Sequence, residues 1–98
     1  MEVEFADETY EELYTDPGSG GGYAPGIVTA FRKRVQFIRY AKDERDIRNW
    51  KSWRLEKLKG NRSHQHSIRL NDKYRLIIEL KGTGDEKVVI IVGIEDYH

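Results

Sequence analysis

The stretch HSIRLNDKYRLIIEL, residues 66–80, decides the fold, because apolar and polar residues alternate on both sides of a short polar break. A period of two is the spacing of side chains on one face of a β-strand, so this stretch predicts two antiparallel strands joined by a turn. The run KVVIIVGIE, residues 87–95, is almost continuously apolar, which is typical of a strand covered on both faces. Residues 64–97 therefore predict a three-stranded antiparallel meander.

The length of the turn sets the register of the first two strands. A three-residue loop, 71–73, keeps apolar residues opposite apolar residues, whereas a two-residue loop would set them against charges. The three-residue loop also places Arg69 directly opposite Arg75, and directly opposed like charges destabilise a sheet. An anion held between the two guanidinium groups would remove that penalty. A bound phosphate, or a carboxylate such as that of Glu79, would each serve, and the residues leave both open.

Helices are expected ahead of the meander. Between residues 27 and 42 apolar residues recur every three or four positions, the spacing of one face of a helix. They are Ile27, Phe31, Val35, Ile38 and Ala41, and the opposite side carries Arg32, Lys33, Gln36 and Arg39. Residues 44–53, ERDIRNWKSW, predict a broken helical segment with Ile47, Trp50 and Trp53 available to pack. Helices followed by strands indicate an α+β fold.

The first 26 residues contain a predicted strand, helix and connector. EVEF, residues 2–5, alternates like a short edge strand, and Asp7 lies where an N-cap would begin a helix over residues 8–14. The segment TDPGSGGGYAPG, residues 15–26, holds five glycines and two prolines and predicts a mobile connector. Its glycines lack the Lys-Ser/Thr ending of a phosphate-binding P-loop.

Length and composition restrict the class of protein. Ninety-eight residues predict a single domain, 1–98. The sequence has no cysteine, which excludes a disulfide scaffold, a cysteine nucleophile and thiolate metal sites, and favours a reducing cytoplasm as the location. No signal-like segment and no apolar run near the ~20 residues of a membrane span are present, so no membrane association is expected.

The charges are segregated along the chain, although the net charge is zero. Residues 1–25 hold seven acidic side chains and no Lys or Arg, whereas residues 26–81 hold sixteen basic and six acidic side chains. A polyanion such as RNA would bind the basic middle, since Lys and Arg that neutralise phosphates supply most sequence-independent affinity. The acidic segment would contact a protein partner or shield the basic surface, and both interpretations stay open.

Two segments carry a family resemblance. RLEKLKGNRSHQHSIRLNDKYRLIIEL, residues 54–80, and the final DYH, residues 96–98, resemble the HigB branch of the RelE/ParE toxin superfamily over about half the chain. The resemblance implies an α+β fold with two N-terminal helices packed on one face of a mainly antiparallel twisted sheet, and a basic open face. It also implies a ribosome-dependent mRNA endonuclease that cleaves mRNA in the A site of the 70S ribosome, with 16S rRNA contacts and no metal or other cofactor. The implied partner is a cognate antitoxin, a HigA-like helix-turn-helix protein.

The resemblance also implies a set of site residues. The catalytic candidates are Glu56, Lys59, Arg75, Asp96, Tyr97 and His98. The RNA- and phosphate-binding candidates are Arg54, Lys57, Arg62 and Arg69. Some HigB toxins carry a histidine where this chain has Glu56, so the general base stays open among Glu56, Asp96 and His98.

Two other functions are compatible with the same sequence. ParE-like relatives inhibit DNA gyrase by binding, without catalysis, and a non-toxic RNA-binding domain would also suit the basic middle. The terminal Tyr97-His98 pair favours the endonuclease, because an imidazole takes either charge state near neutral pH and can transfer protons. A metal site formed by His64, His66 and His98 is disfavoured, because the alternation turns His66 toward the core.

Overall fold

The computed structural model describes residues 1–83 and 86–96. The strands are β1 (Glu2–Phe5), β2 (Glu56–Lys57), β3 (Gln65–Arg69), β4 (Tyr74–Lys81) and β5 (Val88–Asp96). The helices are α1 (Glu8–Thr15), α2 (Pro25–Tyr40) and α3 (Glu44–Arg48), and single 3-10 turns cover Lys51–Trp53 and Gly60–Arg62.

The strands form one mixed sheet with the order β1-β5-β4-β3-β2. The pairs β3–β4 and β4–β5 are antiparallel, as the meander predicts. The short strand β2, which was not predicted, adds a third antiparallel pair, and β1 pairs parallel with β5. The α+β class is therefore confirmed. The description of the sheet as mainly antiparallel needs this correction, because the first strand of the chain lies beside β5 and runs in the same direction.

The predicted register of the meander is confirmed. Ile68 lies opposite Leu76, and Arg69 lies opposite Arg75. The loop 71–73 is held by the side chain of Asn71, whose Oδ1 accepts hydrogen bonds from the backbone N–H groups of the second and third residues after it, at 2.8 and 2.7 Å. An Asn that bonds its own backbone in this way stabilises a turn.

The core lies between the helices and one face of the sheet. All five apolar positions predicted for α2 are buried, and Leu13 of α1 and Ile47 of α3 join them. The sheet contributes Ile68, Leu76, Ile78, Val89 and Ile91. The N-cap prediction for α1 is also confirmed, because the Asp7 carboxylate accepts a hydrogen bond from the Thr9 backbone N–H.

β5 is covered on one face only, which corrects the expectation from its apolar run. Val89 and Ile91 are buried, while Val88, Ile90 and Val92 remain partly exposed. β5 lies between β1 and β4, where β-branched side chains pack against their cross-strand neighbours even on a partly solvated face. The apolar run of β5 therefore did not show that the helices cover only one face of the sheet.

The connector is shorter and better anchored than its composition suggests. α1 extends to Thr15 and α2 begins at Pro25, so the connecting segment is residues 16–24. The Arg32 guanidinium donates hydrogen bonds to the carbonyl oxygens of Leu13, Asp16 and Ser19, at 2.9, 2.7 and 3.0 Å. The first part of the connector is therefore tied to α2.

The two tryptophans differ in burial. Trp53 is buried, as expected, but Trp50 is 49% exposed and stacks on the Trp53 ring with centroids 5.3 Å apart. The helical structure is interrupted at residues 49–50, and the Trp50 side chain turns toward solvent. Trp50 therefore packs on the outside of Trp53 and does not enter the core.

Candidate nucleic-acid interface

The sheet face that points away from the helices carries charged and polar side chains beside apolar ones such as Ile77. Alternation along the strands places Ser67, Arg69, Arg75, Glu79 and Glu95 on this side, which we call the open face. The apolar neighbours of these residues point to the helices instead. The open face is therefore the part of the meander where charged ligands can bind.

Three arginines converge at one end of the open face. Arg54, Arg69 and Arg75 line a cleft of about 170 Å³ together with Asn71 and Asp72, and we call it the arginine cleft. The turn before β2 supplies Arg54, and the strands β3 and β4 supply Arg69 and Arg75. Three residues that were predicted from the sequence thus meet at one place. Guanidinium groups present paired N–H donors that match the oxygens of a phosphate or carboxylate.

Arg69 has an internal counter-ion. Its guanidinium forms an ion pair with the Asp72 carboxylate and donates to the Asn71 carbonyl oxygen at 3.3 Å. The neutralising carboxylate therefore comes from the turn, and Glu79 instead accepts from the Gln65 amide at 3.0 Å. Because the Asp72 side chain is 95% exposed, a dissolved anion can compete with it.

Arg34 supports Arg69 from the helix side, and the sequence analysis did not identify it. Its guanidinium donates twice to the Arg69 carbonyl oxygen, at 3.2 and 3.1 Å, and lies 4.6 Å from the centroid of the Trp53 ring. Burial, and then the nearby charge of Arg69, lower the pKa of Arg34. The only signal in the sequence was a charged residue next to Val35 on the apolar stripe of α2.

Arg75 is a charged residue that is buried on the open face. The residue is only 6% exposed, and its Nη1 donates a hydrogen bond to the Ser67 hydroxyl oxygen at 3.2 Å. Ser67 is itself only 2% exposed. Ser67 was not among the residues predicted from the sequence, although its alternation with Ile68 already placed it on the same face as the arginines.

Arg54 reaches the cleft through an unusual backbone conformation. It ends the 3-10 turn at Trp53 with φ 49° and ψ 59°, in the left-handed region, and it is the single described non-glycine residue with a positive φ. Such a conformation is uncommon for a long side chain and is found at functional sites more often than elsewhere. The turn thereby places the exposed Arg54 side chain over the cleft.

Arg62 lies on the open face but outside the arginine cleft. Its two terminal nitrogens grip the Glu95 carboxylate at 3.0 and 2.7 Å, and its Nε donates to the Gln65 side-chain oxygen at 3.0 Å. The hydrogen bonds that Arg62 donates to the Glu95 carboxylate raise the pKa of Arg62. This ion pair links the segment before β3 to the end of β5.

The other candidates from residues 56–59 are divided between the two faces. Glu56 lies opposite Ser67 and so belongs to the open face, although it does not line the arginine cleft. Lys57 lies opposite His66 on the helix side, away from the arginines, because consecutive side chains of a strand point to opposite faces. Lys59 precedes the 3-10 turn at Gly60–Arg62 and is exposed outside the cleft.

The end of β5 approaches the turn of the meander. Asp96 pairs with Tyr74 in the sheet, and its carboxylate lies 3.9 Å from the Lys73 Nζ. The predicted catalytic residues Tyr97 and His98 lie outside the described residues.

His66 has the orientation that the alternation predicts. It pairs with Ile78 on the core side, and its Nδ1 is buried without a hydrogen-bond partner among the described residues. Burial, followed by the charges of Arg48 and Lys57, lowers its pKa.

Within residues 1–83 and 86–96, no three His, Cys, Asp or Glu side chains are grouped so that they could hold a metal ion. In the same part of the chain, no helix is long and apolar enough to cross a membrane.

Comparisons with known proteins place the chain in a family. Residues 3–98 match the family model described as the RelE-like toxin of type II toxin-antitoxin system HigB. The chain is 33% identical over 79 residues to Toxin HigB-1 of Vibrio cholerae serotype O1, covering 81% of this chain and 83% of that protein. A YoeB/ParE toxin from Agrobacterium tumefaciens has a similar fold, with a TM-score of 0.59, 17% identity and full coverage of both chains. The family that the resemblance of residues 54–80 and 96–98 indicated is thereby confirmed. The chain belongs to the HigB-like toxins, RelE-like toxins of type II toxin-antitoxin systems, a family that implies a cognate antitoxin as partner.

Proposed function

We propose that this toxin is a ribosome-dependent mRNA endonuclease that cleaves mRNA in the ribosomal A site. The observation that carries the proposal is the arginine cleft, in which Arg54, Arg69 and Arg75 converge on a space of about 170 Å³. A cleft of this kind suits a phosphate group, and the membership of the HigB-like family supports RNA as its source.

In the proposed reaction, the 2'-hydroxyl of the RNA is the nucleophile. A general base removes its proton, the oxygen attacks the adjacent phosphorus, and a general acid protonates the departing 5'-oxygen. The bond between phosphorus and the 5'-oxygen breaks as the new bond to the 2'-oxygen forms. The products are a 2',3'-cyclic phosphate and a 5'-hydroxyl, so the reaction requires neither water nor a metal-activated nucleophile in this step.

The chain offers residues for each role. Arg75 in the cleft, assisted by Lys59, stabilises the negative charge that develops on the phosphoryl oxygens. His98 transfers a proton, and Glu56, Asp96 and His98 are the candidates for the base. Tyr97 stacks on an unstacked base, as aromatic side chains do in single-stranded RNA recognition.

A dependence on the ribosome follows from the small size of the basic site. The arginine cleft engages one or two phosphates, and Asp72 already competes for Arg69. Free RNA would therefore bind weakly and in many registers, whereas the ribosome presents one codon in a fixed position and lowers the entropic cost of reaching the reactive geometry. Basic residues outside the cleft, among them Lys57 and Arg62, are candidates for contacts to 16S rRNA. The antitoxin that restrains this activity is expected to be a HigA-like helix-turn-helix protein.

The test is to map the 5' ends of a labelled mRNA on translating ribosomes. The intact toxin is compared with His98→Asn and with a reaction lacking ribosomes. The matched control is His64→Asn, which changes the exposed histidine that precedes β3. We expect cuts within A-site codons that require ribosomes, persist in His64→Asn and are lost in His98→Asn.

Other outcomes have definite meanings. Cleavage of free RNA at the same rate would refute ribosome dependence but leave the endonuclease intact. Growth inhibition without RNA cleavage, together with inhibition of purified gyrase, would replace the proposal by the non-catalytic, ParE-like alternative.

A further inference from the structure

We propose that Ser67 is a positioning residue that holds the Arg75 guanidinium in its reactive orientation, an inference that rests on the proposed endonuclease function. The observation behind it is the hydrogen bond of 3.2 Å from Arg75 Nη1 to Ser67 Oγ, formed between two buried side chains.

The hydrogen bond solves a problem that the register creates. Arg69 and Arg75 are directly opposed across β3 and β4, so their charges would repel if both side chains rose straight from the sheet. Arg69 instead turns toward the loop, where it binds Asp72 and the Asn71 carbonyl oxygen. Arg75 reaches in the other direction, because Ser67 lies two residues before Arg69 on β3. The two guanidinium groups therefore bind different partners, Asp72 and Ser67, while both arginines line the arginine cleft.

The burial of Arg75 makes its orientation sensitive to this contact. A guanidinium that is withdrawn from water is stable only when its N–H groups meet acceptors. Ser67 supplies such an acceptor from the neighbouring strand, at a position fixed by the sheet. A donor held in place before the reaction stabilises the transition state more than one that must be ordered during the reaction.

Ser67 acts through Arg75 and contacts no reacting atom in this proposal. Its hydroxyl lies opposite Glu56 on β2 and Ile77 on β4, both of which share the open face. Replacing Ser67 by alanine removes the hydroxyl acceptor but changes the volume of the side chain little. The fold is therefore retained while Arg75 loses one fixed partner. Threonine keeps a hydroxyl on a β-carbon and suits a strand.

The experiment compares Ser67→Ala and Ser67→Thr with the wild type and with Ser52→Ala, which removes an exposed serine hydroxyl outside the cleft. Single-turnover cleavage on programmed ribosomes is measured as a function of toxin concentration, which separates the maximal rate from the concentration for half-maximal rate. We expect Ser67→Ala to lower the maximal rate by about 10- to 100-fold with little change in half-saturation, since a mispositioned donor weakens transition-state stabilisation. Ser67→Thr should remain within about threefold of wild type, because it retains the acceptor.

A second measurement does not depend on activity. In arginine side-chain NMR spectra, a guanidinium held by a buried hydrogen bond rotates slowly about Nε–Cζ and gives resolved Nη signals. We expect resolved signals for Arg75 in the wild type and faster exchange between its Nη signals in Ser67→Ala. Averaged signals in the wild type, or full cleavage activity of a folded Ser67→Ala, would overturn the role of Ser67. A wild-type toxin that holds Arg75 rigidly and cleaves no mRNA would instead refute the proposed function and, with it, a catalytic use of this contact.

Discussion

Neutralising Arg54 should reduce the salt dependence of RNA binding by the equivalent of one phosphate contact. The suitable change is Arg54→Asn, because Asn tolerates the left-handed conformation that this position adopts. The backbone turn is thereby kept while one of the three cleft guanidinium groups is removed.

The magnitude follows from counterion release. Each phosphate of a single strand that a protein neutralises contributes about −0.7 to the slope of log K against log salt concentration, so the slope of Arg54→Asn should be shallower by about 0.7. Between about 50 and about 150 mM salt, the wild type should therefore lose about twofold more affinity than the variant.

The assay is fluorescence anisotropy of a short labelled RNA that carries 2'-deoxyribose at every position that could be cut, which prevents cleavage during the titration. Lys33→Asn is the matched control, because Lys33 is an exposed cation of α2 on the helix side of the sheet. An unchanged slope in Arg54→Asn, or an equal reduction in Lys33→Asn, would refute the assignment of the arginine cleft as the phosphate site.

Three further outcomes are expected. Asp72→Asn should strengthen binding of the same RNA by up to about fivefold, because it releases Arg69 from an exposed internal counter-ion. Gly93→Ala should destabilise the fold by about 1 to 3 kcal/mol in urea unfolding, because the new Cβ would lie 2.9 Å from the ring of Tyr10 and force it to move. Stability should fall as the pH drops below 6.5, the ordinary pKa of histidine, because burial lowers the pKa of His66 in the folded state and the unfolded chain then binds the proton more readily. His66→Gln should lose less stability than the wild type between about pH 7.5 and about pH 5.

Each of these predictions has a discriminating comparison. Gly26→Ala is the control for Gly93→Ala, because a Cβ on Gly26 meets no atom within 4 Å, and a shared unfolding midpoint would contradict the packing argument. Weaker RNA binding by Asp72→Asn would show that the turn carboxylate organises the cleft rather than competing with the ligand. Parallel pH profiles for His66→Gln and the wild type would assign the acid sensitivity to other groups.

Much of the meander could be predicted from the sequence for a local reason. Alternation with a period of two and the polar break at 71–73 are short-range features, and together they permit a single register in which apolar residues meet. The same register predicted that Arg69 and Arg75 face each other. The motif of residues 54–80 also predicted the family, because its order of residue types is long and specific.

The site depends on contacts between segments that are distant in the sequence, and only some of these contacts could be predicted from it. Arg54 enters the cleft through a left-handed residue, which sequence patterns do not indicate for an arginine. Lys57 and Glu56 are adjacent in the motif, yet a two-residue strand sends them to opposite faces. The counter-ion of Arg69 proved to be Asp72, since the loop folds back over the strand end and brings that carboxylate closer than Glu79.

The sequence by itself determined the antiparallel meander, the amphipathic helix α2 and the family, because each rests on a periodicity or an ordered motif within one continuous segment. Only the tertiary structure decided that β1 pairs with β5 in parallel and that the helices cover one face of the sheet alone. It also decided that Asp72 binds Arg69 and that Ser67 binds Arg75, the two arginines that face each other in the sheet. The physical reason is that side-chain hydrogen bonds and ion pairs are decided by distances of a few ångströms between strands and loops. The order of residues in the sequence does not fix those distances, because they are set only when the whole sheet has formed.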